Sequence, residues 1–188
     1  MAYPIIDAPY GLKPINLIGG QVFAGSTRNI PIQYAFNTNI FYGDVVGIER
    51  GFAVRCSLTL GNAATRGQAG TGVVGVFLGC SFTNPVTKQK QFTQFWPAGT
   101  LAGDAVAVVT DDPDTLFRVA AVTAQGGTTI GSIARMDIGQ NVEGSDLAGN
   151  INTGNSSNAI VAGTAANTST LPLRIVDVVP DTAIVATA

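Results

Sequence analysis

Five groups of residues in this sequence have types and spacings that could support chemistry. The densest is Asp111-Asp112-Pro113-Asp114, three carboxylates within four positions. With backbone carbonyls these could offer part of the shell of about six to eight oxygens that Ca²⁺ takes. Their spacing matches no calcium loop, and a charged turn needs no metal. Asp44 and Asp104 stand in matching contexts, Gly43-Asp44-Val45-Val46 and Gly103-Asp104-Ala105-Val106. A pair of carboxylates can divide general acid and base work. Here each lies in a Gly-Asp turn whose backbone N–H groups occupy its side chain, and no further acid or base accompanies it. Cys56 and Cys80, 24 residues apart, fall on neighbouring expected strands and read as buried free thiols. Gly61, Gly67, Gly70 and Gly72 surround Arg66, but no Gly-Lys-Ser/Thr follows and no helix opens there, so a surface loop is expected and not a phosphate loop. The fifth group is Lys88-Gln89-Lys90-Gln91-Phe92-Thr93-Gln94-Phe95-Trp96-Pro97. Phe95 and Trp96 could form a sugar platform; rings of this kind more often serve a core or a subunit interface. Phe92, Phe95 and Trp96 are therefore taken as aromatic interface candidates.

The composition narrows the chemistry further. The chain has 188 residues and no His, which removes Ser-His and Cys-His nucleophile systems and His-ligated metal sites. Two Cys cannot build a zinc site alone. A net charge of −2 with basic residues scattered singly argues against nucleic acid. No stretch approaches the length of a membrane helix. Met1–Asp7 lacks a basic leader before an apolar core, so no signal peptide is expected. The reading is a structural protein rather than an enzyme, with no cofactor and no metal.

The elements that must position these residues are strands. Charged residues make up 12% of the chain, about half the usual quarter, while apolar residues stand at an ordinary 46%. Such a chain has much to bury and little to keep it from its neighbours, which favours an assembly. Only two Glu and three Lys are available to decorate helix faces, whereas Gly and Pro are plentiful. Short apolar runs at Ile15–Ile18, Val22–Ala24, Ile30–Phe36 and Ile40–Tyr42 alternate with turn signals. Pro31 inside one of them predicts an edge strand or a bulge. The Gly-Asp motif recurs sixty residues later, each copy leading to a charged turn and an aromatic-led strand, Phe52–Arg55 and Phe117–Val119. Gly-punctuated strands, Gly72–Leu78 and Thr128–Ala134, come after them. The echo suggests two similar hairpin-plus-strand units, although it is too short to prove duplication. A bulge or strand end is expected near Phe95.

The ends of the chain differ from its middle. Residues 1–15 carry three Pro with Tyr3, Ile5, Ile6, Tyr10 and Leu12 between them, an extended arm that must dock on its own domain or on a neighbour. Of residues 145–170, 21 of 26 are Ala, Gly, Asn, Ser or Thr. In isolation such a segment should be a mobile loop, since small side chains return little burial for the entropy of ordering; in an assembly it could become ordered, because Asn, Ser and Thr pair readily with backbone. The sequons at Asn155 and Asn167 come almost free in such a run. Leu171–Pro180 and Ala183–Ala186 read as two closing strands, suited to completing a sheet laid down by the N-terminal half. The expected fold is all-β: a compact antiparallel sandwich or barrel, jelly-roll-like first. It comprises an extended arm (1–15) and one β domain (16–188) with a long polar loop (145–170).

With these residues laid out, the chain resembles the head decoration, or cement, proteins of tailed bacteriophages, particularly short-tailed phages of cyanobacteria and other aquatic bacteria. The resemblance rests on Tyr10–Gly20, Phe41–Val46, Gly75–Cys80, Gln94–Gly99 and Asp112–Phe117, and spans roughly residues 10–135. It implies a virion protein, made in the host cytoplasm, that binds the outer surface of the icosahedral head as a homotrimer and clamps neighbouring copies of the major capsid protein. Nucleic acid and membrane are not implied as partners. Tyr3, Ile5, Ile6, Tyr10 and Leu12 of the arm become candidates for capsid or subunit contact. The alternative is a phage fibre or receptor-binding β module that holds a host glycan through Trp96, Phe95 and the polar loop.

Overall fold

A computed structural model describes residues 9–59 and 72–179. Tyr3, Ile5, Ile6, the loop around Arg66 and the expected strand Ala183–Ala186 lie outside the described residues. The chain is all-β. Its strands are β1 (Lys13–Leu17), β2 (Arg28–Pro31), β3 (Ile40–Phe41), β4 (Val45–Glu49), β5 (Phe52–Arg55), β6 (Val73–Thr83), β7 (Lys90–Thr93) and β8 (Phe95–Trp96). The later strands are β9 (Val106–Thr110), β10 (Thr115–Arg118), β11 (Ala121–Val122), β12 (Asn141–Val142), β13 (Gly144–Ser145), β14 (Ala159–Val161) and β15 (Leu173–Arg174). The helical content of the described residues is one 3₁₀ turn, Arg135–Asp137.

The centre is an antiparallel sheet ordered β2-β9-β6-β4-β5, with β7 paired to the far half of β6. Its spine is β6, whose 11 residues serve β4, β7 and β9. β4 and β5 form a tight hairpin because Arg50 and Gly51 both adopt positive φ, 50° and 88°, the twist that suits two-residue β-turns. β2, carrying Pro31, is an edge strand, as the Pro requires. β2 and β5 approach one another without ladder hydrogen bonds, so the sheet curls but does not close.

Each face of this sheet carries a core. One holds Ile30, Val46, Ala53, Phe77, Phe82 and Val109, capped by Ile40 and Trp96 of the β3–β8 ribbon. The other holds Val45, Cys56, Leu58 and Val76 against Leu12, with Phe117 of the β1–β10 ribbon and Leu173 packed on it. Two adjacent residues of β4, Val45 and Val46, thus serve opposite cores, the signature of period-two geometry. On β6 the alternation slips: Phe77, Cys80 and Phe82 share a core, across a register shift between Phe77 and Gly79. Gly79 sits at φ 149°, and a Cβ there would lie 2.9 Å from the Thr93 carbonyl oxygen. The bulge flips the faces of the β6 residues beyond it, as a one-residue slip must.

The remaining C-terminal chain forms a smaller layer. β14 pairs in parallel with β11 and antiparallel with β13, and all three of its residues are buried. β15 pairs with β12.

Several expectations are corrected. The strands form a six-stranded sheet carrying short ribbons, consistent with the expected antiparallel sandwich and not with a closed barrel. Val22–Ala24 and Thr128–Ala134 are not strands; each contributes one isolated bridge, at Val22 and Ile130. The Gly-Asp echo therefore does not build equivalent units. Its first copy enters the β4–β5 hairpin, whereas β9 pairs with β2 and β6, and β10 crosses to β1. The segment 145–170, whose order the residue types leave open, is fastened to the domain: it supplies β14 and the buried Ser156 and Asn158. Of the two expected closing strands, the first pairs at Leu173–Arg174 with β12 and not with the central sheet, and the second lies outside the described residues. The arm gives way to the domain earlier than residue 15: Leu12 is core and Lys13 begins β1.

Candidate functional site

The most concentrated polar constellation gathers on Asp44, in the turn between β3 and β4. The sequence Gly43-Asp44 turns here because Gly43 adopts φ 93°, which brings the carboxylate back onto the preceding strand. Asp44 is fully buried. Its Oδ2 accepts from the Phe41 N–H at 2.8 Å and from Arg55 Nε at 3.0 Å, and its Oδ1 accepts from the Ser156 hydroxyl at 2.6 Å. Arg55 reaches onward from the end of β5. Its Nη2 donates to Asp146 Oδ1 and to the Leu147 carbonyl at 3.1 Å, with Asn158 Oδ1 at 3.4 Å. The Ser156 Oγ also accepts from the Asn158 N–H at 3.0 Å. Residues 44, 55, 146, 156 and 158 thus form one network that fastens the Asn/Ser-rich segment to the main sheet.

Burial pushes the Asp44 carboxyl above the ordinary carboxylate range, while the Arg55 guanidinium, the Ser156 hydroxyl and the Phe41 N–H pull it back. Chemically the arrangement is a clasp. Both carboxylate oxygens are engaged by protein donors, and Arg55 spans two acids. The Asn158 side-chain amide nitrogen is buried without a protein partner among the described residues.

A second polar contact lies beside it. Lys13 Nζ donates to Asn155 Oδ1 at 2.7 Å and stands 3.8 Å from the centre of the Tyr42 ring. Half-burial lowers the lysine to about 8, from an ordinary 10.5. Between those values the unfolded chain binds more protons than the folded one, so this lysine makes stability rise with pH. Its contribution is complete above 10.5 and lost as pH falls through 8. Tyr10 is raised by burial against the pull of Arg118 and works in the opposite direction at alkaline pH. Comparison with Lys13→Met cancels that background. Urea midpoints measured from pH 7 to 10 are expected to rise in the wild type relative to the variant; parallel curves would refute the assignment.

The other candidates are dispersed. Asp104 lies on the surface, where it accepts from the Thr83 N–H at 3.0 Å, the Thr83 hydroxyl at 2.7 Å and Lys90 Nζ at 3.1 Å. Those donors, the Thr83 N–H foremost, hold its carboxyl well below the usual range. Asp44 and Asp104 have separate partners and form no pair. Asp111 binds Arg28 at 2.8 Å, while Asp112 Oδ1 accepts from the Asp114 N–H at 3.0 Å, the bonding of a turn. Among the described residues no three acidic or thiol side chains gather to hold a metal. Cys56 and Cys80 are buried and unbridged, in opposite cores. Burial pushes the Cys80 thiol up to about 11, with the Thr93 hydroxyl opposing.

The aromatic candidates separate completely. Trp96 is fully buried, its Nε1 donating to the Phe36 carbonyl at 3.1 Å and its ring edge-on to Phe82 at 5.4 Å. It is a core residue and offers no face to a sugar or a partner. Phe95 is half-buried and stacks on Phe41 at 5.6 Å. Phe92 alone is exposed, on the outer face of β7. The break between β7 and β8 at Gln94 produces this division, at the position where the sequence required one. Of the arm candidates, Tyr10 is half-buried near Arg118, and Leu12 is in the core rather than free to meet a partner. The Asp44 clasp escaped sequence reasoning because its partners lie 11 and 112 residues away. No helix among the described residues is long and apolar enough to cross a membrane.

No family model, curated protein or solved structure matches the chain.

Proposed function

We propose that this chain is a structural virion protein that binds the outer surface of an icosahedral phage head and cements neighbouring major capsid subunits as a homotrimer. The observation that carries the reading is the pairing of a fastened β domain with an apolar, charge-poor surface. Val86, Phe92, Met136 and Val22 are each at least 77% exposed, on a chain with 12% charged residues. Exposed apolar side chains of this size are costly in water and favour contact with other protein surfaces. The clasp at Asp44 serves the same end, because it holds the polar segment in place mechanically and leaves the surface for binding. Stability gained by mass action on a shell adds to that of the free chain.

The test is the copy number of the chain in purified particles, by quantitative mass spectrometry against the major capsid subunit. Hundreds of copies in simple ratio are expected. A handful would move the chain to the tail or fibres, and absence from the particle would end the structural reading.

A further inference from the structure

Two opposite ends of the central sheet carry apolar groups that no described residue covers. At one end is the loop between β1 and β2. From Pro14 to Thr27 it has no charged residue. From Ile18 to Asn29 every residue except Phe23 is exposed, with Ile18 at 60% and Val22 at 77%. Val22 meets Asn16 in one isolated antiparallel bridge, and beyond it Ala24–Thr27 make no backbone hydrogen bond to another described residue. The loop is nevertheless held at both roots: the Ile18 N–H donates to the Asp114 carbonyl at 2.9 Å, and Arg28 pairs with Asp111 at 2.8 Å. It is a built protrusion with unpaired backbone.

At the other end is the β6–β7 hairpin. Asn84 Oδ1 accepts from the Val86 and Thr87 N–H groups at 2.8 and 3.1 Å, which fixes the tip. Val86 and Phe92 are 85% and 82% exposed. Among the described residues the outer edge of β7 is unpaired, β6 being its partner strand.

The strand register sets these two features apart. Arg28 aligns with Val109, and Val109 with Phe77, at the loop end. Pro31 aligns with Val106, Val106 with Ser81 and Ser81 with Phe92 at the hairpin end. The chain leaves β6 for the hairpin beyond Thr83, away from the loop. The two ends also differ in charge. Beside the loop, Asp112 and Asp114 have no ion-pair partner among the described residues; at the hairpin tip, neither has Lys88. Loop packed on loop would bring like charges together, whereas loop packed on hairpin joins opposite ones.

We propose that copies of this chain join head to tail, the uncharged loop of one packing on the β6–β7 hairpin and free β7 edge of the next. Ile18 and Val22 then meet Val86 and Phe92, and the unpaired backbone of one copy faces the unpaired strand edge of its neighbour. A head-to-tail contact of this kind closes into a ring when its rotation permits. The inference rests on the proposed trimer only for the size of that ring.

The test is the mass of the full chain in solution by multi-angle light scattering. The wild type is expected at a multiple of the 19.3 kDa chain mass. Ile18→Asp with Val22→Asp, and separately Val86→Asp with Phe92→Asp, are expected to give single chains with unchanged circular dichroism. Mixed one to one, the two variants should form a two-chain species, because one retains an intact hairpin and the other an intact loop. Lys88→Glu should raise the dissociation constant about tenfold, one charge contact at roughly 1.4 kcal/mol, and Asp112→Lys with Asp114→Lys should restore it. A wild type that stays single at every concentration, variants that keep the wild-type mass, or a mixture that fails to associate would each overturn the contact. If an apolar variant misfolds, the charge exchange at Lys88 decides alone. A single-chain wild type still abundant on particles overturns this contact and leaves cementing intact; a ring absent from particles does the reverse.

Discussion

Replacing Asp44 with alanine is expected to lower the stability of the folded chain by about 3–5 kcal/mol, the range for breaking a buried charge network by removing one partner. For a chain of this length that corresponds to roughly 10 °C in the melting midpoint. The loss has identifiable parts. The Phe41 N–H and the Ser156 hydroxyl each lose their acceptor in a site closed to water. Arg55 keeps Asp146 but loses the carboxylate that orients its Nε. Burial disfavours the ionised form of Asp44, so part of the native bonding only offsets its desolvation. Ser156→Ala removes a single donor and is expected to cost about 1–2 kcal/mol. A double-mutant cycle between the two should show coupling of about 0.5–3 kcal/mol, measured by urea unfolding. Additive effects, or an Asp44→Ala loss below about 1 kcal/mol, would mean that the network does not fasten residues 145–158.

Trp96→Ala is the second large effect, expected at about 3–5 kcal/mol from the cavity that a fully buried indole leaves. The Phe36 carbonyl would lose its Nε1 donor and Phe82 its edge-on partner. This bears directly on any search for a bound glycan. A Trp96→Ala variant that fails to bind would report a damaged core rather than a lost platform. Phe92→Ala, at an exposed ring, is expected to leave stability within about 0.5 kcal/mol and is the appropriate probe of surface contact. Thermal melts of the two variants side by side check both expectations. An unchanged midpoint for Trp96→Ala would contradict its place in the core.

The sequence is legible where local chemistry decides. Few Glu and Lys with many Gly and Pro point to strands; Pro31 marks an edge; the aromatic crowding at Phe92, Phe95 and Trp96 demands the break found at Gln94. Legibility ends where partners are distant. Gly43-Asp44 and Gly103-Asp104 look alike over six residues, yet one is sealed under Ser156 and the other lies at the surface beside Thr83. No local pattern distinguishes them, because the difference is made by residues 112 and 21 positions away. The order of residues 145–170 stays open in the sequence for a related reason. Their small side chains bury little alone, but Ser156, Asn158 and the strand Ala159–Val161 are bonded and covered by elements from elsewhere in the chain. On β6, the bulge at Gly79 reverses which residues face each core, something a count of alternating positions cannot anticipate.

The clasp also imposes an order of events on a ribosome. At roughly 5–20 residues per second, Ser156 emerges on the order of ten seconds after Asp44, the donor 112 positions behind its acceptor. During that interval the Asp44 carboxylate can have Arg55 and Phe41 but not Ser156, and the β11–β14 pairing does not exist. The central sheet, whose last strand ends at Thr110, therefore stands without its C-terminal layer, and the native state is reached only after most of the chain has been made.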